Sequence, residues 1–141
     1  MNHPASPEFA PVELHATRLD SRRLSGPAIR TFFRIAEAWT LTVEEQMALL
    51  GLESRSTYFS WKRAQDARLD RDQLERVSHV LGIYKALHLL FSSGPQADAW
   101  VKKPNTAPLF TGRPALERMR DGIRGLFAVR QYLDAQRGGW A

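Results

Sequence analysis

The sequence predicts an all-α protein: a helix-turn-helix bundle in the N-terminal two-thirds and a small helical module at the C-terminal end. Three observations carry this. Apolar residues return every three or four positions over long stretches. Helix-start signatures stand where those stretches begin. No segment alternates apolar and polar residues with the period of two that a half-buried strand requires.

The elements follow in order. Residues 1–22 show little periodicity and hold Pro4, Ser6, Pro7 and Pro11, so they read as a flexible N-terminal tail. Ser25 suits an N-cap and Pro27 a first helical turn, after which Ile29, Phe32, Phe33, Ala36 and Trp39 recur at helical spacing. This predicts a helix over 27–39. Thr42 and Glu45 have the spacing of a capping box, and the helix they open ends at Gly51, a natural left-handed cap. Ser54 opens a third helix, Arg55 to about Ala64. Asp70 with Gln73 opens a fourth, whose stripe is Leu74, Val77, Leu81 and Tyr84. Gly82 either ends or bends it, while Leu87, Leu90 and Phe91 carry the pattern to Ser92. Ser92-Ser93-Gly94-Pro95 is the clearest break and divides a domain over 23–92 from one over 93–141. Beyond it come a short helix near Ala97–Val101, a loop from Lys103 to Pro108, a short helix at Pro114–Arg120, and a last helix from about Ile123 to Gln136 bearing Leu126, Val129 and Leu133.

Composition narrows the class. At 141 residues with 43% hydrophobic side chains the chain can build a real core. No cysteine is present, which excludes disulfides and thiol chemistry and fits a reducing cytoplasm. No apolar run has the length of a membrane span, and no signal peptide is visible, so a cytoplasmic protein without membrane contact is expected. The net charge of +5 is unevenly placed: residues 1–91 carry 12 Lys/Arg against 11 Asp/Glu, and residues 92–141 carry 8 against 4. The basic excess sits in the C-terminal third, compatible with a polyanionic or acidic partner.

Residues 42–63 form the strongest local motif. A short helix meets a glycine turn, and a second helix opens with hydroxyl residues and arginine, as a recognition helix does. Met47, Leu50 and Leu52 can pack beneath Tyr58 and Trp61 and fix the angle between the helices. Arg55, Ser56, Thr57 and Ser60 would then face a nucleic-acid backbone or base edge, with Lys62 and Arg63 extending the basic edge. The same pattern also fits a helical hairpin with a solvated basic face. Glu44, Glu45 and Glu53 lie close by, the first two as capping and solvated side chains. Phe32, Phe33, Trp39, Tyr84 and Phe91 are more aromatics than a small bundle readily hides, which predicts a homodimer through the N-terminal module.

The C-terminal segment reads Trp100, then Lys103-Pro104-Asn105, then Pro108-Leu109-Phe110-Thr111-Gly112-Arg113-Pro114, with Gly122 before the last helix, Tyr132-Leu133 near its end, and Arg137-Gly138-Gly139-Trp140. This order resembles the toxin-binding domain of Xre/MbcA/ParS antitoxins, with one residue fewer between Gly112 and Pro114 than that family's turn. The Ser56-Thr57-Tyr58-Phe59 stretch with Trp61-Lys62, and Leu81 to Leu87, resemble the family's N-terminal helix-turn-helix. The resemblance spans roughly residues 24–140. It implies an antitoxin of a type II toxin–antitoxin system whose C-terminal domain covers the active site of a RES-domain, NAD-consuming toxin and which binds its own operator DNA. It further implies toxin contacts from Trp100, Pro104, Asn105, Phe110, Gly112, Arg113, Arg130, Arg137 and Trp140, with Arg137 a cation suited to a pyrophosphate pocket. From the residues themselves, Gly112 lets the loop take a backbone conformation other residues avoid, and Gly122 and Gly125 let another backbone approach. Trp140 is either folded back on the core or held by a partner. The alternative function is a stand-alone helix-turn-helix transcriptional regulator.

An enzyme needs converging acid, base or nucleophile groups. His3 and His15 fall in the tail, and His79 and His88 lie nine residues apart, about half a turn out of phase on one helix. No phosphate-cradling glycine loop is visible. The expectation is a binding protein with neither cofactor nor metal.

Overall fold

The computed structural model describes residues 18–138, all helices and connecting turns, with no strand among them beyond an isolated bridge between Pro104 and Pro114. The elements are α1 (Arg18–Ala38), α2 (Val43–Leu50), α3 (Arg55–Ala64), α4 (Arg71–Leu90), α5 (Gly94–Ala99), a 3₁₀ turn (Trp100–Lys102), α6 (Ala115–Met119) and α7 (Ile123–Gly138). The all-α expectation holds.

Helix α4 is the axis of the molecule. It packs against α1, α2, α5 and, most extensively, α7. One continuous core results: Ile29, Phe32 and Trp39 of α1, Leu49 and Leu50 of α2, Val80, Ile83 and Leu87 of α4, and Leu126, Val129 and Leu133 of α7 are all buried. Gly82 neither ends nor interrupts α4, which runs on to Leu90 with Phe91 as its C-cap.

The local signals explain most helix ends. Thr42 and Glu45 form the complete capping box, with each side chain bonding the other's backbone N–H, and Gly51 takes φ +65° behind α2. Asp70 and Gln73 do the same for α4. Ser54 accepts from the Thr57 N–H and starts α3, and Ser93 accepts from the Gln96 N–H and starts α5.

Two expectations are corrected here. Helix α1 begins at Arg18 and runs through Pro27, so it overlaps the end of the tail drawn over 1–22; residues 1–17 lie outside the described residues. Ser25 is no N-cap either. It is buried, and its hydroxyl accepts from the Leu69 N–H at 3.0 Å, while Arg30 donates to the Gln65 carbonyl at the end of α3. The α3–α4 connection therefore pins the turn upstream of Pro27. The proline removes only one backbone donor from a turn already held by tertiary contacts.

The aromatic surplus that pointed to a second copy is also absent. Phe32, Phe33 and Trp39 are buried inside this chain, and Tyr84 and Phe91 pack against the same core. Phe33 meets Tyr58 edge-on at 5.8 Å, and Trp39 meets Tyr84 at 6.3 Å.

Candidate functional site

The first candidate surface is α3. Tyr58 points inward and its hydroxyl donates to Gln46 Oε1 at 2.7 Å; the Gln46 amide in turn donates to the Leu41 carbonyl at 3.1 Å. All three groups are buried, so this relay locks α3 onto α2. The burial raises the Tyr58 hydroxyl above its ordinary pKa, offset in part by the bond to Gln46. Met47 and Leu50 are buried in the same core as Tyr58, and Leu52 and Trp61 pack against that core.

With Tyr58 turned in, Arg55, Ser56, Ser60, Lys62 and Arg63 are exposed and Thr57 is half-buried. They share the open side of one short helix. Two of the three cations already have partners. Arg55 donates to Glu44 Oε2 at 2.8 Å and lies over the Phe59 ring, and the Lys62 ammonium stands 4.7 Å from the centre of the Phe33 ring. Glu44, read from sequence as a solvated helix-start residue, is thus part of this surface. Hydrogen bonds from its own backbone N–H and then from Arg55 hold its carboxyl below the usual value.

The second candidate surface is built on the loop between the 3₁₀ turn and α6. The Asn105 N–H donates to the Arg113 carbonyl at 3.2 Å and the Gly112 N–H to the Asn105 carbonyl at 2.7 Å, closing residues 105–113 into a tight ring. Asn105 Oδ1 accepts from the Ala107 N–H, an Asx turn that starts it. Gly112 takes φ +86°, the conformation expected of it, and Thr111 before it takes φ +50°. Phe110 anchors the ring from inside, edge-on to Trp100 at 5.6 Å and to Tyr132 of α7 at 5.2 Å. Pro104 and Arg113 remain exposed, and Trp100 and Asn105 are half-buried.

Two residues assigned to a partner-facing surface, Phe110 and Arg130, also brace the module from inside. Phe110 is buried and holds the loop from inside. Arg130 lies between α7 and α4, crossing Gly82, where an added Cβ would stand 2.4 Å from its Nε, and reaching the Ser78 carbonyl and His79 Nδ1 at 3.4 Å. Its role is to join two helices. Arg137 is exposed but pairs with Asp134 at 3.2 Å. Trp140 lies outside the described residues. Gly125, by contrast, behaves as expected: a Cβ there would fall 1.9 Å from the Arg118 carbonyl oxygen, so α6 and α7 approach at a distance only glycine permits. Gly122 is used instead for its φ of +91°.

Several C-terminal cations have partners, and one of those partners lies in the N-terminal bundle. Arg113 pairs with Glu117 at 2.8 Å and Arg118 with Asp121 at 3.6 Å. Lys102 donates to the Thr40 carbonyl at the end of α1 and stands 3.5 Å from Glu45, which ties the C-terminal segment to the N-terminal bundle. Nothing in the local sequence marked Lys102 for this, because its partners lie about sixty residues away.

The two histidines among the described residues, His79 and His88, sit in contacts between helices. His88 comes within 2.7 Å of Asp98 and joins α4 to α5. His79 is buried beside Phe127; burial first, then the charge of Arg130, push its pKa below the ordinary value, and Glu75 at 3.5 Å offsets only part of this. Among the described residues no group of three or more His, Asp or Glu side chains could hold a metal ion, and no helix is long and apolar enough to cross a membrane.

The arrangement is that of a two-surface helical binding protein: a helix-turn-helix with an exposed second helix, and a braced loop-and-helix module set against it. Comparison with known proteins makes the class specific. Residues 18–82 match the antitoxin Xre-like helix-turn-helix domain, and residues 86–139 match the antitoxin Xre/MbcA/ParS C-terminal toxin-binding domain. The chain belongs to the Xre/MbcA/ParS antitoxin family, and so to the antitoxins of toxin–antitoxin systems. It is also 45% identical over 130 residues to the uncharacterized protein y4oB of Sinorhizobium fredii (strain NBRC 101917 / NGR234), covering 92% of this chain and 98% of that relative.

Proposed function

We propose that this antitoxin neutralises a RES-domain toxin that consumes NAD, by seating its C-terminal module, residues 93–141, over the toxin's active site. The observation that carries the reading is the braced loop. Phe110, Asn105 and Gly112 hold it in one shape before any partner arrives, so little ordering entropy remains to oppose binding. Trp100, Pro104, Asn105 and Arg113 form the contact surface of this module, with Arg137 and Trp140 beyond it. The protein acts by binding, not by catalysis. The test is an NAD-consumption assay with the purified toxin of a neighbouring reading frame. The intact chain should abolish NAD loss, and Arg113→Ala or removal of residues 137–141 should restore part of it. Full inhibition by both variants would move the interface elsewhere.

The helix-turn-helix, residues 23–92, supports a second activity, repression of its own operon by a homodimer that sets two α3 helices in successive major grooves. Arg55, Ser56, Thr57, Ser60, Lys62 and Arg63 are the contact residues. Replacing Arg55 and Arg63 with Ala should weaken promoter binding and flatten its salt dependence, because fewer phosphates are neutralised. An unchanged salt slope would remove them from the interface.

A further inference from the structure

Helix α3 carries one aromatic ring that the core leaves open. Tyr58 is buried and Trp61 packs against the core, but Phe59 is 38% exposed. At 100° per residue, Tyr58 and Trp61 turn inward, and Phe59 comes out on the open side. There it lies in line with Arg55 and Arg63, four residues before and after it. Ser56 and Ser60 flank it, and both are exposed and short. A groove can therefore close on the helix until its floor meets the ring.

The ring is also held in place. It meets Tyr58 at 5.1 Å with the planes 83° apart, and the Arg55 guanidinium stands 5.6 Å from its centre. Arg55 is itself fixed by its 2.8 Å bond to Glu44. Phe59 thus has one position, set from two sides, and keeps an open face.

Charge decides what this face can meet. Helix α3 carries Arg55, Lys62 and Arg63 and no Asp or Glu. A duplex offers phosphates along both walls of its major groove, which suits the cations. On the base edges of that groove the one methyl group is the thymine 5-methyl, which suits the ring.

We propose that Phe59 reads thymine, packing its ring against a thymine 5-methyl in the major groove while the cations of α3 hold the flanking backbone. The proposal rests on the reading that α3 binds DNA. It adds what phosphate contacts lack, because those position the helix but carry no sequence information.

The test compares two duplexes of the stretch upstream of the protein's own reading frame. One is synthesised with thymine and the other with uracil, which differs only by the missing methyl. Binding of the full chain is read by fluorescence anisotropy at two salt concentrations. The wild type should bind the uracil duplex roughly fourfold more weakly if one methyl is read, and about fifteenfold if a dimer reads two. Phe59→Ala should bind the thymine duplex more weakly by the same factor, lose the preference for thymine over uracil, and keep the wild-type salt slope, since no phosphate contact is removed. Phe59→Gln places a polar helix former at the same position and should also lose the preference; it serves if the alanine variant folds poorly. Equal binding of both duplexes by the wild type removes the role of Phe59 alone. A thymine preference that survives in both variants overturns the proposal, because another residue or the shape of the duplex would then carry it. A Phe59→Ala chain that light scattering shows as a monomer where the wild type is a dimer assigns the ring to a contact between copies and overturns it too. A wild-type chain with no affinity for the thymine duplex removes the DNA reading and this proposal with it.

Discussion

Gly125→Ala should cripple the C-terminal module, although alanine is normally the better helix former. The Cβ would stand 1.9 Å from the Arg118 carbonyl oxygen and 3.0 Å from the Arg118 carbonyl carbon. To reach even a tight contact the carbonyl must retreat by about 1.1 Å, and by about 1.5 Å for an ordinary one. It cannot swing aside freely, because it accepts from the Asp121 N–H at 3.1 Å and closes the α6–α7 turn. The clash is with backbone, so no rotamer change relieves it. Overpacking of this kind costs about 3 kcal/mol or more, against about 1 kcal/mol gained in helix propensity. The net loss of about 2 kcal/mol or more corresponds to a fall in Tm of roughly 8 °C for a chain of this size. Thermal unfolding followed by circular dichroism measures it directly, and inhibition of the toxin should fall in parallel. A Tm within about 2 °C of the wild type would refute the reasoning, since it would mean that α6 moves away from α7 at almost no cost.

Three further outcomes follow from single contacts. Tyr58→Phe leaves the buried Gln46 Oε1 without its donor and should cost about 1–2 kcal/mol, visible in chemical denaturation; no loss would mean that the relay does not lock α3. Gly112→Ala meets open space but must hold φ +86°, so it should cost about 1 kcal/mol and lower Tm by roughly 4 °C, and an unchanged Tm would show that the loop relaxes. His79 has a folded pKa below its unfolded value, so the unfolded chain binds the extra proton first. Stability should be fully present above about pH 6.5 and decline as pH falls below it. A His79→Gln variant should lose less Tm than the wild type between pH 7.5 and pH 5.5, and equal losses would assign the acid sensitivity to other groups.

What the sequence made legible was whatever is written locally. The capping boxes at Thr42 and Asp70, the left-handed cap at Gly51, the positive-φ loop glycine Gly112, and the apolar stripes of α4 and α7 depend on residues within one or two turns of each other. The same locality misled at Ser25 and Pro27. There a helix-start signature was overridden by a hydrogen bond from Leu69, forty-four residues away. The polar residues of the candidate surfaces were harder still. Arg130, Lys102 and Glu44 each carry a side chain long enough to face solvent or a distant element, and only the tertiary packing decides which. Phe110 shows the apolar version of this. An aromatic in a loop fits core packing and partner contact alike until Trp100 and Tyr132 close around it.

The boundary between the two modules has the same character. The helix-turn-helix match ends at residue 82 and the toxin-binding match begins at residue 86, yet no break in the chain falls between them. Both limits lie inside α4, which continues unbroken from Arg71 to Leu90. At that point Gly82 admits Arg130 from α7, so the junction of the two family domains is also where the C-terminal helix grips the N-terminal bundle. Val80, Ile83 and Leu87 on either side of the junction belong to one buried core. A rotation of α7 against α4 would have to expose apolar surface and break the Arg130 contacts to Ser78 and His79 together. The two surfaces are therefore held in fixed relation by a shared helix. A partner bound at the C-terminal module thus meets α3 at a set distance and orientation, because α4 is common to both surfaces.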